Sequence, residues 1–150
     1  AVNQGINANR LVFASYESIS EHLNRIKYAD LFLDTRPYNA HTTSSDALRI
    51  GLPVLTCIGK SFPSRVAASI LNSLSLTELI TETEEDYELL AIELATNPIK
   101  LKSIKDKLIH NLSSAPLFDT PLFTRNLESA FKTMYEKHHN GIKPEHIYVN

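Results

Sequence analysis

Residues 31–57, which read LFLDTRPYNAHTTSSDALRIGLPVLTC, decide the fold class. Two short apolar runs, at 31–33 and 53–57, flank a segment that has helical periodicity over about residues 42–50. Short apolar runs bounded by polar residues or glycine are typical of buried strands, and a helix between two such strands makes a crossover unit. Crossover units join parallel strands and are almost always right-handed. This stretch therefore predicts an α/β fold with a parallel sheet and crossover helices.

The rest of the chain extends the same pattern and then becomes wholly helical. Apolar residues at helical spacing, together with capping residues such as Thr83 and Asp119, mark the helices. The predicted elements are strands at 11–14, 31–33, 53–57 and 77–80, and helices at 18–29, 42–50, 64–74, from Thr83 to Pro98, at 99–112 and from Asp119 to about residue 139.

Composition favours one compact domain over residues 1–150. Hydrophobic residues make up 43% of the 150 residues and charged residues 21%, and the net charge is -2. The chain therefore has no cationic field that would attract nucleic acid or an anionic membrane. No apolar run approaches the length of a spanning helix, and the first residues do not resemble a signal peptide. The single Cys57 favours a reducing compartment, so we expect a cytoplasmic protein.

The loop after the apolar run at 31–33 holds the candidate site. If a helix begins near Thr42, its free backbone N–H groups and the hydroxyls of Thr42 and Thr43 converge on one spot, which suits a diphosphate. Asp46 lies one turn further on the same face, where a carboxylate can accept hydrogen bonds from ribose hydroxyls. These residues predict a nucleotide site. The alternative is that they only cap and stabilise the helix.

Three further groups bear on chemistry. His22 and Arg25 offer a ring and a guanidinium to a planar base, with a solvated helix face as the alternative. Lys60 lies in a Gly-Lys-Ser triplet like the end of a phosphate-binding P-loop, but Val54 stands where that motif needs glycine, so a nucleoside triphosphatase is disfavoured. Lys60 remains a candidate to face a donor. The histidines near the carboxyl end lack metal-ligand spacing, so we predict no metal site.

Four blocks together resemble the carboxyl-terminal catalytic lobe of bacterial-type protein O-linked N-acetylglucosamine transferases, glycosyltransferase family 41. The blocks are ADLFLDT at 29–35, NAHTT at 39–43, GLPVLT at 51–56 and SRVAAS at 64–69. The resemblance implies a Rossmann-like nucleotide-binding lobe of the two-lobed GT-B fold, followed by carboxyl-terminal helices. Because the chain also begins without Met, we expect it to be part of a longer polypeptide with an upstream lobe and tetratricopeptide repeats.

The resemblance also implies a reaction and residue roles. The reaction is inverting transfer of a sugar from a UDP-sugar donor to Ser or Thr of a polypeptide acceptor, without metal or another cofactor. The implied donor-binding residues are His22 and Arg25 at the uracil, His41, Thr42 and Thr43 at the diphosphate, Asp46 at the ribose and Tyr38 near the sugar. His41 would also stabilise the leaving diphosphate as the catalytic group, and the fragment alone is expected to be inactive.

Two alternatives stay open at this point. The donor sugar could be glucose rather than N-acetylglucosamine, as in related bacterial adhesin glucosyltransferases. The chain could also be a non-catalytic interaction domain of the same fold, because Ile19 stands where animal enzymes of the family have a lysine and Arg36 occupies a position that is usually apolar.

Overall fold

The computed structural model describes residues 2–149. Within these residues the chain forms a three-stranded parallel sheet in the order β1-β2-β3, with β1 at Phe32–Leu33, β2 at Val54–Cys57 and β3 at Ile80–Thr81. Phe32 pairs with Val54, and Thr56 pairs with Ile80. The parallel sheet and the crossover helices between its strands agree with the sequence prediction.

The α-helices over the described residues are α1 (Ile19–Ile26), α2 (Thr42–Arg49), α3 (Val66–Ser73), α4 (Glu84–Thr96), α5 (Pro98–Leu112) and α6 (Thr120–His139). All six helices were predicted, with ends that differ by at most three residues. A 3-10 turn at Phe62–Ser64 precedes α3. A second turn at Thr77–Leu79 takes the place of most of the predicted edge strand, and β3 begins only at Ile80.

The predicted strand at residues 11–14 is wrong. These residues adopt no regular secondary structure, and the Val12 and Phe13 side chains are 87% and 92% exposed. A strand needs a neighbouring strand to satisfy its backbone groups and an apolar face to bury its side chains. In the described part of the chain β1 is hydrogen-bonded to β2 alone. The apolar run at 11–14 therefore has no strand to pair with and no apolar face that buries its side chains.

The hydrophobic core lies between the sheet and the helices α2, α3, α4 and α5. Its buried members are mainly leucines, as expected for strands covered by helices on a parallel sheet. The fully buried leucines of this cluster include Leu48, Leu71, Leu74, Leu76, Leu79 and Leu108. The apolar side chains of α6 are different, because Phe123, Phe131 and Met134 remain about half exposed or more. The core therefore fixes α2 and the sheet against each other, and α6 contributes little to it.

Side-chain caps fix the starts of most helices. The Ser18 hydroxyl and the Glu21 carboxylate form a reciprocal capping box at α1. Thr83, Asn97 and Asp119 accept hydrogen bonds from the first turns of α4, α5 and α6, respectively. Each cap satisfies a backbone N–H that has no partner within the helix.

Membrane insertion of a helix has no support in the described residues, since none of their helices combines the length and apolar character that a span requires.

Candidate functional site

A cavity of about 450 Å³ lies where the carboxyl end of β1 leads into the amino end of α2. Ligands of open parallel sheets bind at this edge, where the strands end and the helices begin. A volume of this size falls within the usual range of about 300–1,000 Å³ for small-molecule pockets. The lining residues are His22, Ile26, Phe32, Thr35, Tyr38, Asn39, Ala40, His41 and Thr43.

The amino end of α2 differs from the capped helices. Its N-cap residue, His41, makes no side-chain hydrogen bond to the first turn. The first backbone N–H groups of a helix have no intrahelical partner, and the positive end of the helix dipole lies beside them. His41 and Thr43 both line the cavity. The cavity wall therefore carries donors that suit an anion.

The loop before α2 is held by backbone contacts. The Asp34 carboxylate Oδ1 accepts hydrogen bonds from the backbone N–H groups of Thr35, at 2.8 Å, and Ala40, at 2.7 Å. Asn39 is 1% exposed, and its side-chain amide donates to the Thr35 carbonyl oxygen at 2.8 Å. Its Oδ1 has no hydrogen-bond partner among the described residues. The loop is thus closed on itself directly beside the cavity.

A second loop supports the His41 ring. The Pro63 carbonyl oxygen accepts a hydrogen bond from the Asn39 backbone N–H at 3.1 Å and lies 3.4 Å from His41 Nε2. A carbonyl oxygen only accepts hydrogen bonds, so His41 Nε2 carries the proton when this contact forms. The Tyr38 ring stacks on the His41 ring at 5.0 Å, and the Phe62 ring meets it edge-on at 6.1 Å. The imidazole is therefore held between two aromatic rings.

The two residues predicted to contact a nucleotide base, His22 and Arg25, lie on α1. His22 lines the cavity, and its Nδ1 lies 3.1 Å from a terminal nitrogen of Arg25. Because a guanidinium only donates hydrogen bonds, Nδ1 accepts and the other ring nitrogen carries the proton in a neutral imidazole. Arg25 also donates to the Ser15 carbonyl oxygen at 3.1 Å. Arg25 therefore orients the His22 ring and is itself outside the cavity lining.

Three further predicted residues lie beside the cavity lining or beyond it. Thr42 is exposed in the first turn of α2, and Asp46 is half-buried one turn along the same helix. Lys60 is exposed in the loop after β2 and is not brought to the cavity. Arg36, the unusual residue of the α2 loop, pairs with Glu84 of α4 at 2.7 Å. The Arg36 charge is thus directed to α4.

Sequence reasoning missed the residues that hold the site. The Thr56 hydroxyl of β2 donates to Asp34 Oδ2 at 2.7 Å, and the Tyr87 hydroxyl of α4 donates to the Asp34 carbonyl oxygen at 2.9 Å. Burial raises the pKa of Tyr87, and the nearby Asp34 carboxylate raises this pKa further. The Tyr87 hydroxyl therefore stays protonated and donates at neutral pH. The signal in the sequence was a carboxylate directly after a predicted strand, and such a residue is recognised as part of a site only when its hydrogen-bond partners are known.

A metal site has no support in the described residues, because no three His, Cys, Asp or Glu side chains among them are grouped to hold an ion.

Comparison with known proteins places the chain among glycosyltransferases. The model of the family described as glycosyl transferase family 41 matches residues 1–127. The chain is 35% identical over 150 residues to a probable UDP-N-acetylglucosamine–peptide N-acetylglucosaminyltransferase, SEC, from Arabidopsis thaliana, covering 99% of this chain and 15% of the relative. It is 33% identical over 149 residues to the Caenorhabditis elegans UDP-N-acetylglucosamine–peptide N-acetylglucosaminyltransferase, covering 99% and 13%.

A solved structure agrees with these relatives. The Thermobaculum terrenum O-GlcNAc transferase, as a K341M mutant, superimposes with a TM-score of 0.82 and 32% identity, over 89% of this chain and 26% of that one. The predicted Rossmann-like lobe of a GT-B glycosyltransferase is therefore confirmed as the fold. The chain spans 13–15% of the length of these two curated relatives.

Proposed function

Because the chain belongs to glycosyltransferase family 41, we propose that it forms the donor-binding lobe of an enzyme that transfers N-acetylglucosamine from UDP-N-acetylglucosamine to Ser or Thr hydroxyls of proteins. The observation that carries this proposal is the amino end of α2, which lacks a side-chain cap and opens into the cavity at the end of β1. The donor diphosphate binds there.

The diphosphate is bound by the first turn of α2. Backbone N–H groups and the hydroxyls of Thr42 and Thr43 donate to phosphate oxygens, and the helix dipole favours their negative charge. His41 lies at the N-cap position between the rings of Tyr38 and Phe62, which limits its motion. An imidazole held at this position donates to the diphosphate when the ring nitrogen that faces it is protonated.

The remaining contacts of the donor follow from positions around the cavity. His22, oriented by Arg25, stacks on the uracil. The Asp46 carboxylate, one turn beyond Thr42, accepts hydrogen bonds from the ribose hydroxyls. Tyr38, which is 62% exposed and lines the cavity, borders the donor sugar. Lys60 reaches the donor only if its exposed side chain turns toward the cavity.

Transfer needs stabilisation of the departing diphosphate. The acceptor hydroxyl oxygen forms a bond to the anomeric carbon and releases its proton to a basic group of the full-length enzyme or to a phosphate oxygen. The bond from the anomeric carbon to the diphosphate oxygen breaks, and negative charge accumulates on the diphosphate. Donors that already point at this oxygen stabilise the charge without reorganisation. We propose that His41 and the α2 amino end supply this stabilisation in an inverting reaction that uses no metal or other cofactor.

The proposal includes partners outside these residues. Acceptor polypeptides, a second catalytic lobe and tetratricopeptide repeats that select the acceptor complete the enzyme, and the protein acts in the cytoplasm. The unpaired, buried Cys57 is compatible with a reducing compartment.

Calorimetric titration of the full chain with UDP tests donor binding. We expect saturable heat, and a folded sample that gives no heat at millimolar UDP would contradict the proposal. In the full-length protein, His41→Ala and Asp46→Ala are expected to abolish or strongly lower glycosylation of an acceptor protein. His110→Ala is a suitable control, because His110 is an exposed histidine of α5.

The mass added to the acceptor identifies the sugar. Addition of an N-acetylhexosamine supports the proposed donor, and addition of a hexose supports UDP-glucose instead. Unchanged glycosylation by both site variants would indicate that the cavity has no role in transfer.

A further inference from the structure

A buried carboxylate joins the sheet to the loop that carries the candidate site. Asp34 is 5% exposed, and its two carboxylate oxygens accept hydrogen bonds from the Thr35 and Ala40 backbone N–H groups and from the Thr56 hydroxyl. All three donors are neutral. Burial of a carboxylate costs free energy, and hydrogen bonds from buried donors offset this cost.

The contacts of Asp34 fix a defined piece of backbone. One oxygen atom, Oδ1, binds both ends of the loop at residues 35–40, and Ala40 directly precedes the N-cap residue His41. The second oxygen is bound to Thr56 of β2, and the Asp34 carbonyl oxygen is bound to Tyr87 of α4. The start of α2 is thus tied to β2 and α4 through one residue.

We propose that Asp34 is the positioning residue of the diphosphate site: its carboxylate holds the loop at 35–40 so that the first turn of α2 faces the cavity. This inference rests on the proposed function. Asp34 acts through backbone groups and does not touch the donor. Its negative charge lies near a bound anion and opposes binding. Asp34 therefore favours donor binding only through the positions of its carboxylate oxygens, which hold the loop in place.

Substitution of two threonines on neighbouring strands distinguishes a positioning role of Asp34 from a general contribution to stability. The Thr56 hydroxyl donates to Asp34, whereas the Thr81 hydroxyl donates to the Thr56 backbone carbonyl oxygen at 3.1 Å. Both threonines are buried. Thr56→Val and Thr81→Val each remove one buried hydroxyl donor at similar volume. We expect Thr56→Val to raise the Kd for UDP about fivefold, and Thr81→Val to change it less than about twofold.

Two substitutions of Asp34 itself separate geometry from charge. Asp34→Asn keeps an acceptor oxygen for Thr35 and Ala40, so we expect a Kd within about threefold of wild type; Asp34→Ala removes the acceptor and is expected to raise it about tenfold or more. In the full-length enzyme the KM for the donor rises with Asp34→Ala and the KM for the acceptor does not. A merely structural role would lower the amount of active enzyme and leave both KM values unchanged.

Amide hydrogen exchange in the free chain distinguishes failure of this inference from failure of the proposed function. Thr56→Val should speed exchange of the Ala40 amide, and Thr81→Val should not. Equal exchange at Ala40 in the two variants overturns the positioning role, whether or not UDP binds. Faster exchange at Ala40 in Thr56→Val, with a wild-type chain that does not bind UDP, supports the positioning role and overturns the proposed function. UDP binding that is equally weakened by both threonine variants also overturns the inference.

Discussion

Single side chains around α2 divide into those that line the cavity and those that hold its wall. His41 and Thr43 belong to the first group, and Asp34 and Thr56 belong to the second. Asp46 belongs to neither group, because it is half-buried one turn into the helix and is not part of the cavity lining. Its proposed partner, a ribose, must therefore extend from the cavity along the helix face.

Replacement of Asp46 by alanine tests this geometry. Loss of a carboxylate that accepts hydrogen bonds from ribose hydroxyls is expected to raise the Kd for UDP about tenfold. Inorganic pyrophosphate, which has no ribose, should bind both proteins equally well. Titration calorimetry measures both ligands. Asp106→Ala, an exposed carboxylate of α5 that pairs with Lys102, is the matched control.

Equal weakening of UDP and pyrophosphate binding by Asp46→Ala would contradict the ribose contact and place Asp46 at the phosphates.

The sequence identified the residues with recognisable chemistry at the site but not the residues that hold them. His41, Thr42 and Thr43 follow one another, so a helix start groups them without further information. Asp34 and Thr56 are 22 positions apart, and their contact depends on the register of two parallel strands. Such a contact forms only when the two strands are paired in the correct register, and a local sequence pattern does not specify that register.

At the level of elements, the turn at residues 62–64 supports the α2 loop through the Pro63 carbonyl oxygen. The turn depends on Gly59, whose backbone N–H donates to the Ser64 carbonyl oxygen at 2.8 Å. A Cβ atom at position 59 would lie 2.7 Å from the Ser64 Cβ and still closer to its hydroxyl oxygen. The turn must therefore shift when any side chain replaces this glycine.

Gly59→Ala is expected to lower the free energy of unfolding by about 1–3 kcal/mol, because overpacking forces the backbone to move. It should also weaken UDP binding, since the shifted turn no longer places Pro63 against the α2 loop. Denaturant unfolding and calorimetry measure the two effects. Adding Ser64→Gly removes the clashing side chain and should recover part of both.

A Gly59→Ala variant with wild-type UDP affinity would show that the turn does not support the site.

The capping box of α1 makes helix stability depend on pH. Hydrogen bonds from the Ser18 side chain and backbone lower the pKa of Glu21 from its ordinary value of 4.5. A carboxyl group with a lowered pKa stabilises the folded state above pH 4.5, and this contribution is lost as the pH falls through the lowered pKa. Ser18→Ala should therefore lower the melting temperature at pH 7, and the difference from wild type should shrink in acid.

Thermal unfolding followed by circular dichroism at several pH values measures this difference. A difference between the two proteins that stays constant down to pH 2 would exclude the Glu21 contribution.

Elements with local signals were predicted well, and those that depend on a partner were not. Thr83, Asn97 and Asp119 cap helices within a few residues of the predicted starts. The apolar run at 11–14 carries the same local signal as a buried strand. It is not a strand because no described strand pairs with it, and local hydrophobicity contains no information about that partner.

Across the whole molecule, one leucine-rich core holds α2 and the sheet together. Leu108 of α5 is fully buried in this core. Leu108→Ala is expected to lower the free energy of unfolding by about 2–5 kcal/mol, from lost burial and the cavity left behind. Ile99→Ala on the same helix, where the side chain is 82% exposed, should change it by less than about 0.5 kcal/mol. Urea unfolding measures both.

A loss for Leu108→Ala no larger than that for Ile99→Ala would show that α5 is not part of the folded core.

The backbone amides at the start of α2 give the most direct measurement of diphosphate binding. Nuclear magnetic resonance of the nitrogen-15-labelled chain follows Thr42, Thr43 and Ser44 while UDP or uridine is added. UDP should move all three amide resonances, and uridine, which lacks the diphosphate, should leave them in place while shifting resonances near His22. Saturation with UDP that leaves the three amides unmoved would contradict a diphosphate site at the amino end of α2.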